Sequence, residues 1–162
     1  MRIHLFALLV AGCALSHMCK AAEICPWLNA ATAGGALETS VGVVVTHPGT
    51  VKEDATCAFT TRAGSATREL QIEVRTVTSE GADLTAYVSR CNSKPVALNA
   101  IGNEAVACRI DKGNGQNEEQ VAGRVRDRVF LIKLRTSDGS PRQSVLGERA
   151  RGVAEIVAGN LF

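Results

Sequence analysis

Cys25, Cys57, Cys91 and Cys108 have the widest chemical range of any side chains in this chain, because a thiol can pair, ligate a metal or attack a carbon centre. No two of them form a C-x-x-C pair, and His47 is the single histidine beyond the N-terminal leader. A tetrahedral zinc set would therefore need scattered thiolates alone. Disulfide pairing is the reading these spacings support. Four cysteines allow three connectivities, and their order along the elements predicted below favours Cys25 with Cys57 and Cys91 with Cys108. Each closed loop contributes about 3–4 kcal/mol in the chain-entropy account of cross-linking.

Nucleophilic catalysis needs a nucleophile, a base and a group that orients the base. His47 stands before Pro48 in a turn, and Gly64-Ser65-Ala66 is the nearest approach to a nucleophile elbow without having its pattern. His47 is expected to be a solvated turn residue. Glu104, the acid within Ile101-Gly102-Asn103-Glu104-Ala105, is a candidate general acid or base. The competing expectation is a tight turn at Gly102 and Asn103, with Glu104 bonded to nearby backbone amides. The segment from Asp111 to Glu119 is rich in oxygen ligands but lacks the ordered spacing and closing glutamate of a calcium loop, so a hairpin loop is expected. Arg124, Arg126 and Arg128 alternate, which suits a solvated strand face better than an anion-binding ladder. Gly34-Gly35 is not followed by Lys-Ser/Thr, so close packing against another element is expected there and not a phosphate cradle. These patterns predict no catalytic residue, no cofactor and no metal site.

The compartment bears on all of these residues. Met1-Arg2-Ile3-His4 precedes an apolar run from Leu5 to Leu15, too short to span a bilayer and suited to a secretory leader. Val10-Ala11-Gly12-Cys13 resembles a lipobox that would acylate Cys13, whereas Cys19-Lys20-Ala21 offers small residues for ordinary cleavage, leaving Ala22 first. Cleavage after Ala21 keeps an even set of cysteines; acylation at Cys13 strands Cys19. Residues 1–21 are thus expected to be a signal peptide and 22–162 one secreted domain, with membrane attachment only if Cys13 is acylated. Removing Arg2 and Lys20 takes 18 basic residues to 16 against 16 acidic ones. A neutral domain has no long-range field to gather nucleic acid, so none is expected as a partner.

Hydrophobic spacing predicts the elements that must position these side chains. Asn29 is a good cap for an alanine-rich helix to about Leu37, and Leu28 is placed to staple against Ala33. Val41 to Thr46 and Cys57 to Thr61 read as strands, and Leu70, Ile72 and Val74 alternate with polar residues as a half-buried strand. Leu84, Tyr87, Val88 and Cys91 share one face of a short helix. Glu118 to Val125 and Val129 to Thr136 form a hairpin about Arg126-Asp127-Arg128. Ser140 and Pro141 open a final helix whose stripe is Leu146, Ala150, Val153, Val157 and Leu161, with Arg151 and Glu155 paired outside it. The fold class expected is α+β: a single domain with an antiparallel sheet and the N- and C-terminal helices packed on one face.

Cys25-Pro-Trp-Leu-Asn with its capped helix, Cys57-Ala-Phe, and Ala100-Ile101-Gly102-Asn103-Glu104-Ala105 resemble, in that order, the motifs of a family of bacterial envelope proteins of unknown function. Many of these are lipoproteins, and they look similar to the extracellular sensor domain of a mycobacterial serine/threonine kinase. Thr32 stands where that family has an acid, Glu38 where a glycine often closes the helix, and Asn103 where it has aspartate. The resemblance implies a small disulfide-containing domain of helix and antiparallel sheet, ligand-sensing in some relatives. It carries over no catalytic residue.

The function expected from export, the missing catalytic constellation and this resemblance is a non-enzymatic envelope module binding a small ligand, lipid or envelope protein. A structural envelope protein and a hydrolase with a dispersed site are the alternatives. An apolar pocket is expected where sheet and C-terminal helix diverge, near Phe130, Ile132, Val153 and Val157, with Trp27 or Tyr87 at its rim. The competing expectation is that these residues fill the core. Thiol titration of the denatured, secreted protein should find almost no free thiol; finding four would overturn the disulfide framework.

Overall fold

The computed structural model describes residues 24–47, 54–63, 66–78, 84–89, 91–113, 116–137 and 143–162. The leader with Cys13, Cys19 and both processing routes, the turns at Pro48 and at Gly64-Ser65, and the Ser140-Pro141 helix start lie outside the described residues.

Helix α1 (Ala30–Leu37) starts as its sequence dictates: Asn29 is extended, and its Oδ1 accepts from the Thr32 N–H at 2.8 Å. It ends on Glu38, whose φ of 62° is the left-handed position that glycine usually fills. Charge holds a glutamate there. The Glu38 carboxylate pairs with Arg68 at 2.8 Å and with Arg149. The same two guanidinium groups donate to the carbonyls of Leu37 and Ala36, which are otherwise unpaired at a helix end. A Cβ on Gly34 would lie 2.7 Å from the Thr39 carbonyl oxygen, so the close approach expected here comes from the chain's own exit and not from another element. Gly35 faces open space.

The described residues then form β1 (Gly42–Thr46), β2 (Ala55–Ala63), β3 (Ala66–Thr76), a single helical turn α2 (Thr85–Val88), β4 (Val96–Ala97), β5 (Glu104–Asp111), β6 (Asn117–Val125), β7 (Arg128–Thr136) and α3 (Gln143–Leu161). One antiparallel sheet of seven strands results, in the order β1-β2-β3-β7-β6-β5-β4. Two meanders, β1 to β3 and β4 to β7, thus meet where β3 pairs with β7, from Arg68↔Thr136 to Thr76↔Arg128. The class is α+β.

Alternation sends the side chains to two different surroundings. One face carries Phe59, Leu70, Ile72, Val74, Val121, Phe130, Ile132 and Leu134, all buried. On it lies the α3 stripe of Leu146, Ala150, Val153, Val157 and Leu161, packed along β6 and β7, with Ala33 and Leu37 of α1 beside it. A disulfide joins Cys25, ahead of α1, to Cys57 in β2, and Asn160 Nδ2 donates to the Trp27 carbonyl at 2.8 Å. Among the described residues the other face is covered near α2, where Leu84, Val88, Tyr87 and Cys91 pack on Cys108, Ala122, Val129 and Leu131. A second disulfide, Cys91 to Cys108, fastens that cover. Both pairings are those favoured by cysteine order, and they suit an oxidising compartment. Among the described residues no helix is long and apolar enough to cross a membrane.

Gly123 of β6 faces Phe130 of β7, and a Cβ at 123 would collide with the phenyl ring. The ring fills the space that the missing side chain leaves. Gly123→Ala should cost about 1–3 kcal/mol through overpacking. Urea unfolding should show a lower midpoint with an unchanged slope; an unshifted midpoint would mean that the ring has room to move.

Candidate functional site

The site is built on the open face of β7, where period two brings Leu131, Lys133 and Arg135 to one side. Across one ladder stand Glu73, Gln71 and Glu69 of β3, and across the other Ala122, Gln120 and Glu118 of β6. Ile110 and Lys112, at the end of β5, extend the floor, and Ala86, Tyr87 and Ser89 of the α2 segment form a wall. Between this wall and the floor from Glu73 through Leu131, Lys133 and Arg135 to Gln120 and Glu118 lies a cleft of about 370 Å³. The wall is held in place by the Cys91–Cys108 disulfide and by Gln120, whose Nε2 donates to the Tyr87 carbonyl. A smaller cavity of about 200 Å³ adjoins it, sharing Lys112, Glu118 and Arg135 and reaching Thr67 and Ser137.

Charge in this cleft is largely compensated. Glu118 is buried, with Arg135 Nε at 2.7 Å and Lys112 Nζ at 2.8 Å. Burial alone would raise its pKa, but hydrogen bonds and charge from Lys112 and Arg135 outweigh that and hold the carboxyl below its ordinary range. For Arg135, burial works to lower the pKa, and Glu118 and Glu69 reverse it, so the guanidinium is held charged more firmly than usual. Arg135 reaches Glu69 at 3.4 Å, and Arg75 pairs with Glu73. Lys133 differs: among the described residues it has neither an ion pair nor a hydrogen bond, and its cross-strand neighbours are the amides Gln71 and Gln120.

Glu119, next in sequence, points to the opposite face near Gly147 of α3 and is also buried. Its one ion-pair partner among the described residues is Arg109, at 3.0 Å. Here burial dominates over Arg109 and raises the pKa. Adjacent glutamates on two faces are thus shifted in opposite directions.

Of the residues expected to line an apolar pocket, Phe130, Ile132, Val153, Val157 and Trp27 lie buried in the core, and Tyr87 is the one that lines the cleft. His47 is exposed just beyond β1. Gly102, at φ 61°, makes the expected turn; a Cβ there would strike the Arg124 carbonyl oxygen. The backbone bonding expected of Glu104 belongs to Asn103, whose N–H donates to the Arg124 carbonyl at 2.7 Å and whose Oδ1 accepts from the Arg126 N–H at 2.6 Å. Glu104 instead pairs across the ladder with Arg124 at 2.8 Å. The three alternating arginines do not form a ladder. Arg126 sits in the hairpin turn over the Phe162 ring, and the register sends Arg124 and Arg128 to opposite faces. Asp111 accepts from the Gly113 N–H at 2.8 Å, as a hairpin loop requires.

Lys133, Glu118 and Gln120 were not singled out by sequence reasoning. The signal was partly present, since the expected hairpin pairs these two strands, but its three-residue turn would set Gln120 opposite Leu134; the two-residue turn at Arg126-Asp127 brings Gln120 beside Lys133. Comparison with protein-family models, with characterised proteins and with solved structures finds no match, so the chemistry of the cleft is read from its own geometry.

The two glutamates should leave opposite marks on stability. Glu118 has its folded pKa lowered from 4.5, so its contribution is present above that value and lost as pH falls through the folded pKa. Glu119 has its folded pKa raised from 4.5, so the fold loses stability as pH rises through that interval. Glu118→Gln should cost about 1–3 kcal/mol at neutral pH, with the deficit shrinking on acidification. Glu119→Gln should compare best with the parent at neutral pH and lose that advantage in acid. Urea titrations across the carboxylate range would read both; parallel pH profiles for the two variants would contradict the assignment.

Proposed function

We propose that this protein is an exported, non-enzymatic binding module of the cell envelope, and that its ligand is taken up in the polar cleft beneath α2. The observation that carries this reading is Lys133, an uncompensated cation at the centre of a sheet face where the neighbouring charges are matched. Leaving one charge unmatched at that position suits a surface that receives its counter-charge from outside. The cleft's volume of about 370 Å³ falls in the range of small-molecule sites, and its lining sets Tyr87, Ile110 and Leu131 among polar and charged side chains that outnumber them. Glu73 and Glu118, the carboxylates lining it, are tied to cations, and Glu118 is held below the ordinary range, so it has no proton to give at neutral pH.

A thermal-shift screen of lipids, glycans and metabolites tests the reading. At a hundred times its dissociation constant a ligand should stabilise the parent by about 2.7 kcal/mol, and Tyr87→Ala should weaken that response. A screen without hits, or hits indifferent to Tyr87→Ala, would remove this function and favour a structural role.

A further inference from the structure

We infer that the cleft recognises a singly charged oxyanion carried on an apolar body, a small organic carboxylate, with Lys133 as its charge anchor; this rests on the binding-module reading above. The first ground is the pattern of compensation across the ladders. Arg135 lies between Glu69 and Glu118, Arg124 faces Glu104, and Arg109 faces Glu119. Lys133 occupies an equivalent strand position with a glutamine on each side. Opposite charges facing across a ladder stabilise a sheet, so a lysine between two amides forgoes that gain.

The second ground is what remains after the pairs are cancelled. Lys112 and Arg135 are balanced by Glu118 and Glu69, and Arg75 by Glu73. One positive charge is left, on Lys133. That balance matches a monoanion; a dianion would have to draw Lys112 or Arg135 away from Glu118, which is buried and would be left unpaired.

The third ground is the polarity along β7. Leu131, Lys133 and Arg135 point the same way, about 7 Å apart at each step, from the apolar end under α2 to the charged end. Tyr87 stands beside the apolar end, whereas Ile110 lies level with Glu118 and Arg135 at the charged end. A ligand seated with its body against Leu131 and Tyr87 would bring its charged group to the Lys133 ammonium, which has three donors and no competing partner among the described residues.

Hydrocinnamate and its neutral amide are suitable probes, titrated into the oxidised protein at fixed ionic strength while the backbone amide resonances of Tyr87, Gln120, Leu131 and Lys133 are followed. The acid should bind at least about tenfold more tightly than the amide, Lys133→Gln should abolish that preference, and Lys133→Arg should retain it. Equal binding of acid and amide at these resonances would overturn the anion while leaving a binding cleft. Absence of shifts with either probe would overturn the inference unless phosphatidylglycerol vesicles, compared with phosphatidylcholine vesicles, bind in a Lys133-dependent way. That last result would keep the singly charged oxyanion and assign it to a lipid phosphodiester. The metabolite screen and its Tyr87→Ala control separately decide whether the cleft binds anything at all.

Discussion

The pairing of β3 with β7 is the constraint on which the rest of this molecule depends. Within each meander, strands are joined to neighbours close in sequence; this ladder alone joins strands separated by α2, β4, β5 and β6. It sets Leu70 beside Leu134, Ile72 beside Ile132 and Val74 beside Phe130, producing an apolar floor wide enough for α1 and α3 to share. The same register puts Glu69 beside Arg135 and Gln71 beside Lys133 on the reverse side. A slip of one residue would exchange the two sets and bury the charges under α3.

Each face has a cover, and each cover is tied to the sheet by one disulfide. Cys25 to Cys57 fastens the segment leading into α1, and Cys108 in β5 receives Cys91 from the segment behind α2. The covers differ in depth. The helix face is closed by a long amphipathic helix and carries one buried carboxylate, Glu119, near its margin. Among the described residues the other face is covered by a single helical turn, and a charged cleft opens beside it. The wall of that cleft is therefore made of backbone that a single helical turn would hold weakly by itself; the disulfide and the Gln120 bond to Tyr87 compensate.

Charge also settles where α1 stops. A glutamate in the left-handed position is a poor intrinsic choice, but Arg68 from β3 and Arg149 from α3 neutralise Glu38 and at the same time take up the helix's last carbonyls. Three elements far apart in sequence are thereby joined at one point.

What the sequence by itself determined were the features written in local periodicity and residue chemistry. The Asn29 cap, the apolar stripe from Leu146 to Leu161, the alternation through Leu70, Ile72 and Val74, a hairpin about Arg126-Asp127-Arg128, and the favoured cysteine pairing all follow from short-range spacing, although Arg128 belongs to β7 and not to the turn. Which residues would share a site was not written there, because that depends on which strands become neighbours. Phe130, Ile132, Val153, Val157 and Trp27 have the composition of a pocket, and only packing decides that they close into core. Asn103 takes the backbone bonding expected of Glu104, and Glu104 pairs with Arg124, which the β5–β6 register places opposite it. Gln120 comes beside Lys133 only because the turn is Arg126-Asp127, one residue shorter than expected. The placement of Gln71 on its other side, and of α2 above, required the pairing of β3 with β7, a long-range contact that carries no periodic signal in the chain.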